Sequence, residues 1–108
     1  LPIICFENIF QEIRMFVVSL TYKVPLEQVD AHIEGHIAWL KAAYAKDMFL
    51  ASGRKVPRDG GVILARGDRA ALEEELTRDP FHQHDLADYH ITEFDPVMVA
   101  DGLKALQS

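Results

Sequence analysis

The sequence predicts an α+β fold, and three patterns carry that prediction. Residues 15–22 alternate from side to side as a strand does. From Leu26 to Lys46 the apolar residues recur with a helical period. Beyond that lie two strand-like runs around a glycine-rich turn, then a short helix, a strand and a last helix.

Each element has its own justification. In residues 15–22, Phe16, Val18, Leu20 and Tyr22 share one face, and Val17, Ser19 and Thr21 share the other. Pro25 closes this strand, because the residue before a proline prefers an extended backbone. One helix is expected over residues 26–46. Its stripe is Leu26, Val29, Ile33, Ile37, Leu40 and Tyr44, which should face the core. Asp47 belongs to the exit turn. Residues 48–54 read as a second strand, with Gly53 marking a bulge or a close backbone approach. Gly60 and Gly61 are read as free to take positive φ in the turn before a third strand, residues 62–66. Asp68 caps a short helix that turns Leu72 and Leu76 inward and leaves Glu73, Glu74 and Glu75 in solvent. Arg78 sits in the last turn and Pro80 stops that helix. Residues 88–94 form the fourth strand. Asp95-Pro96 opens a last helix over 96–106 with Val99, Leu103 and Leu106 inside.

The order is βαββαβ plus a terminal helix. It suits a ferredoxin-like arrangement, with two helices on one face of a four-stranded antiparallel sheet. The other face would carry Val17, Ser19, Thr21, His90 and Thr92. Such a mixed surface suits a partner subunit or a pocket.

Composition sets bounds. The chain has 108 residues, one domain's worth, with 49% hydrophobic and 26% charged residues. So small a domain has little interior to spare, and a pocket would draw walls from a second subunit. A net charge of −6 argues against nucleic-acid binding and against anionic membrane surfaces. No apolar run approaches the roughly 20 residues of a membrane-spanning helix. The first 14 residues read as an extension upstream of the domain, residues 15–108, and not as a secretory signal. Cys5 is the single cysteine, so a reducing cytoplasm is the default.

Three pieces carry chemistry. His36 falls about 60° from the centre of the helix stripe, on the rim between core and cleft. Histidine titrates near pH ~6.5 when unperturbed and suits general-base work. Asp79 follows a helix end, where the dipole disfavours a carboxylate and a nearby cation would help. Ser52, Gly53 and Arg54 form a candidate binding turn: Ser52 and the Gly53 backbone for a substrate oxygen, Arg54 for a carboxylate or phenolate. Each has a plain structural reading beside it: a partly buried histidine, a helix-stop turn, a solvated strand end. His32 and His36 stand four apart, as helix metal ligands do, and His82 and His84 lie near Asp79. With no cysteine pair and no His-Glu-x-x-His order, no metal site and no cofactor are assigned. His82-Gln83-His84 reads as an exposed loop. Trp39 lies farther from the stripe and would pack on a partner or the sheet edge. Cys5 has no base near it, and neither phosphate-binding nor hydrolase motifs occur.

Met15-Phe16-Val17-Val18, His36-Ile37-Ala38-Trp39-Leu40, Phe49-Leu50-Ala51-Ser52-Gly53, Gly60-Gly61-Val62-Ile63-Leu64-Ala65 and Asp79-Pro80-Phe81 follow one another at characteristic spacings. Together they resemble the YciI-like (YCII-related) family over residues 15 to about 100. The resemblance implies a ferredoxin-like protomer paired into a dimeric α+β barrel. It also implies a histidine–aspartate dyad, falling on His36 and Asp79. Relatives of this kind include a dehydrochlorinase acting on a chlorinated hydroxyquinol, and similar barrels include a muconolactone isomerase. Two positions depart from the pattern. Ile33 stands where many members carry arginine, and Asp85 stands where many carry glycine before the leucine that follows Asp-Pro-Phe.

The expectation is therefore a small cytoplasmic homodimer. It would perform cofactor-free acid–base chemistry, of lyase, isomerase or dehydrohalogenase type, on a small cyclic oxygenated molecule. The competing expectations are a non-catalytic dimeric module that binds a small ligand, and a metal-dependent enzyme.

Overall fold

A computed structural model describes residues 14–107. The expected extension, Cys5 included, lies outside the described residues except for Arg14, which opens the first strand. Four strands form one antiparallel sheet in the order β2-β3-β1-β4: β1 (Arg14–Tyr22), β2 (Phe49–Arg54), β3 (Gly60–Gly67) and β4 (Ala87–Phe94). Helices α1 (Leu26–Asp30), α2 (Ile33–Ala45), α3 (Arg69–Leu76) and α4 (Pro80–Gln83) lie between them. This α+β architecture is compatible with the ferredoxin-like arrangement. Among the described residues no helix is long and apolar enough to cross a membrane.

The alternation in β1 acts as expected. Phe16, Val18 and Leu20 are buried, together with Ile63 and Ala65 of β3, against Val29, Trp39, Ala43, Leu72, Leu76 and Phe81 of the helices. Burial of each large side chain here stabilises by about 1.5–3 kcal/mol. Register sets the second face as read: Val17 lies opposite Thr92, and Ser19 opposite His90.

The helix over 26–46 is two helices. A turn at Ala31 and His32 separates α1 from α2. The buried stripe is also rotated. Trp39 and Ala43 are the buried residues of α2, whereas Ile37 is 43% exposed and Tyr44 lies at the surface. Simple hydropathy prefers Ile37 and Tyr44 to a histidine and a tryptophan. The His36 Nδ1 and the Trp39 Nε1 find partners inside, so both rings can turn inward. Trp39 Nε1 donates to the Glu75 carboxylate at 2.9 Å and to the Glu75 carbonyl at 3.1 Å.

Glu75 is accordingly buried and not in solvent. Lys46 Nζ at 2.7 Å and Arg78 at 3.1 Å complete its partners. Burial alone would raise its carboxyl, but hydrogen bonds from Lys46 and Trp39 outweigh that and hold it below the usual glutamate value. Asp68 caps α3 by accepting from Ala71 N at 3.0 Å.

Glycines act differently from expectation. Neither Gly60 nor Gly61 has positive φ. A Cβ on Gly60 would stand 1.8 Å from the Leu20 carbonyl oxygen, so glycine is required there for close approach to β1. Gly53 pairs regularly with Val62, and nothing lies within 4 Å of a Cβ placed on it. The irregularity in β2 falls between Phe49 and Ala51 instead.

At the C-terminal end, the expected helix over 96–106 is absent as such. Residues 95–100 are irregular, and a kinked 3₁₀ segment spans Asp101–Gln107. Val97, Met98 and Leu103 are exposed, so an α-helix here would have no apolar surface to cover and no tertiary support.

Candidate functional site

A cleft of about 140 Å³ opens between α2 and the β2–β3 hairpin. It is smaller than the roughly 300–1,000 Å³ of most ligand pockets. His36, Ser52, Gly53 and Arg54 all line it, so the structure brings the expected binding turn and the helix histidine to one place. Ile33, Ile37 and Leu40 form its apolar wall on α2, and the rotation of the helix puts them there.

Asp79 is close by but sealed. It is fully buried behind His36, and its Oδ1 stands 2.8 Å from His36 Nδ1. The turn after α1 makes this contact possible, because it places His36 in the first turn of a new helix. Gly35 helps: a Cβ there would stand 3.2 Å from Pro80 Cγ, so its absence lets α2 approach α4 closely.

Asp79 follows the end of α3, as read, with its N–H donating to Leu76 O at 3.2 Å, but it also opens a further helix. It is the N-cap of α4, with Pro80 at the first helical position and Phe81 N donating to Oδ1 at 3.0 Å. The dipole here favours its charge, opposite to the expectation. Tyr89 OH donates to Oδ2. Burial, with the Asp79 charge beside it, pushes the Tyr89 phenol far above the usual tyrosine value, so it stays a donor.

These contacts define the imidazole. An ionised carboxylate only accepts, so Nδ1 carries the proton and donates to Asp79. Nε2 then holds the lone pair. It makes no hydrogen bond among the described residues, yet it is not sealed. Among those residues, the single buried side-chain polar atom without a partner is Arg58 Nε. The ring itself lies flat on Phe81, 3.9 Å between centroids and 5° between planes. A lone pair on a fixed ring at a cleft wall can accept a proton from a bound molecule.

Ser52 is tied to Tyr44, oxygen to oxygen at 2.7 Å, across the cleft rim. Arg54 makes no hydrogen bond or ion pair among the described residues. Arg58, from the turn before β3, also lines the cleft and donates to Asp30 at 2.5 Å.

The remaining histidines are elsewhere. His32 is the N-cap position of α2, and its ring stacks on His84 at 4.0 Å. His82 and Gln83 belong to α4 and not to a loop, though they are exposed. Among the described residues no three metal-ligating side chains converge. Asp85 keeps, with φ 56°, the left-handed conformation that glycine adopts freely, and it pairs with Lys23.

Sequence reading missed Tyr89 and Arg58. Alternation in β4 places Tyr89 with Ala87 and Ile91 on the helix side, so its direction was available. Arg58 sits in a turn, where no period applies.

The model of the YCII-related domain family matches residues 15–95. No curated protein matches the chain.

Proposed function

The chain belongs to the YCII-related domain family, and on that footing we propose that it is a small-molecule enzyme working by cofactor-free acid–base chemistry. One observation carries the reading: His36 Nδ1 is bound to a buried carboxylate at 2.8 Å while the ring lines a cleft. Nε2 takes a proton from a carbon or hydroxyl of the bound molecule. The imidazolium that forms faces Asp79, which stabilises its charge. The electron pair left behind forms a new double bond. In an isomerisation, the proton returns from Nε2 to another carbon. In an elimination, a neighbouring leaving group such as chloride departs with its bonding pair. Ser52 and the Gly53 backbone hold a substrate oxygen, and Arg54 faces an acidic group. The substrate is small, cyclic and oxygenated, in keeping with the apolar α2 wall.

The same reading includes a homodimer in a reducing cytoplasm. On the second sheet face, Val62 and Phe94 are exposed. Pairing through that face would close an α+β barrel. Light scattering of the purified chain should give twice the protomer mass.

Turnover of chlorinated hydroxyquinols and lactones by wild type, His36→Ala and Asp79→Asn tests the chemistry. Activity in wild type, lost in both variants, supports it. Full activity in His36→Ala contradicts it. It also contradicts the reading if every wild-type assay fails while a small ligand binds equally well to all three proteins. That last pattern is what a non-catalytic binding module would give, and the apolar walls favour that alternative.

A further inference from the structure

Two arginines line the cleft beside His36. Arg54 lacks any hydrogen bond or ion pair among the described residues. Arg58 is held by Asp30 at 2.5 Å with Tyr22 beside it, and its Nε is buried without a partner. Ser52 and Arg54 lie opposite Ile63 and Gly61, so they share the helix-facing side of the sheet. Asp30 sits near both cations: its carboxyl is held below the usual range chiefly by the Arg58 hydrogen bond and, more weakly, by the charges of Arg58 and Arg54.

We propose that Arg54 and Arg58 form a subsite for a single carboxylate, so that the substrate of this cleft is a monoanionic acid. Arg54 and Arg58 bring two positive charges, and Asp30 removes one. The surplus is one charge, matched by one carboxylate. A guanidinium offers paired donors suited to carboxylate oxygens. The rest of the molecule then lies against Ile33, Ile37 and Leu40, within reach of the His36 wall. This subsite names the substrate class for the acid–base reading above, and it rests on that reading for its catalytic meaning.

Benzoate is the probe, with benzamide as its neutral counterpart and phenyl phosphate as the dianion. Calorimetry on the full chain should show benzoate binding and no benzamide binding. Arg54→Gln should weaken benzoate by roughly tenfold or more, the loss of a charged hydrogen bond. Arg58→Lys, which keeps the charge opposite Asp30 but has no Nε donor fork, should weaken it less. Asp30→Asn should shift preference toward phenyl phosphate. Equal binding of benzamide, no effect of Arg54→Gln, tighter wild-type binding of phenyl phosphate, or no benzoate binding at millimolar concentration would overturn the subsite. None of these outcomes would alter the turnover test of His36.

Discussion

Phe81 holds His36 and Asp79 at once: its ring lies 3.9 Å from the imidazole in near-parallel contact, and its backbone N–H donates to the Asp79 carboxylate at 3.0 Å. One residue thus fixes both the plane of the base and the position of its acid partner.

Phe81→Leu should separate these two tasks. Leucine keeps the backbone donor and most of the buried apolar surface but has no flat ring. Stability should fall by about 1–3 kcal/mol. Catalytic efficiency should fall more than that loss suggests, by roughly tenfold or more, because the imidazole plane is no longer set. Thermal unfolding and steady-state kinetics on the folded variant would check the pair of outcomes.

Tyr89→Phe removes the hydroxyl that donates to Asp79 Oδ2. A lost donor to a buried charge should cost about 1.5–3 kcal/mol at neutral pH. The pH dependence has a definite sign. Tyr89 titrates higher in the folded chain than its usual 10.0, so its contribution is whole below that pH. Above it, the unfolded chain ionises first and the contribution shrinks. Denaturant titrations from pH 8 to 11 should show this alkaline loss in wild type and a shallower one in Tyr89→Phe.

Glu75 works in the opposite direction. Its carboxyl titrates below the usual 4.5 when folded, so its stabilisation is present above that pH and disappears as the pH falls through the lower folded value. Glu75→Gln should lower stability at pH 7 and flatten the acid limb. Chemical denaturation at pH 7 and pH 3 would show the difference between the two proteins narrowing in acid.

Asp47 ends α2 with φ 60°, while Asp47 N donates to Tyr44 O and Met48 N to Ala43 O. This is a Schellman ending with aspartate where glycine is easiest. Asp47→Gly should raise stability by about 0.5–1 kcal/mol, read as a higher unfolding midpoint. Asp85→Gly should gain less, since it also loses the Lys23 ion pair.

Much of the fold was legible because strands report themselves locally. Alternation in β1 located Phe16, Val18 and Leu20 inside, and Asp68 announced the α3 cap. The orientation of α2 was not legible in this way. Whether Trp39 and His36 turn inward depends on Glu75 and Asp79, which lie 36 and 43 residues away. Hydropathy cannot register acceptors supplied by other elements. Asp79 shows a different shortfall. Proline after it fits a stop and the first position of a new helix equally well, and the sequence does not choose between them. His36 and Asp79 were found as residues, and their contact needed the break after α1. Tyr89 was readable in direction but not in partner. Arg58 had no local signal at all.

Nitrogen-15 NMR of the histidine-labelled protein tests the proposed base most directly, because it reports which nitrogen of His36 bears the proton without needing a substrate. The expected spectrum at pH 8 shows a protonated Nδ1 and a bare Nε2. A spectrum with the proton on Nε2 would leave the cleft no lone pair to accept a proton, and the acid–base account would fail.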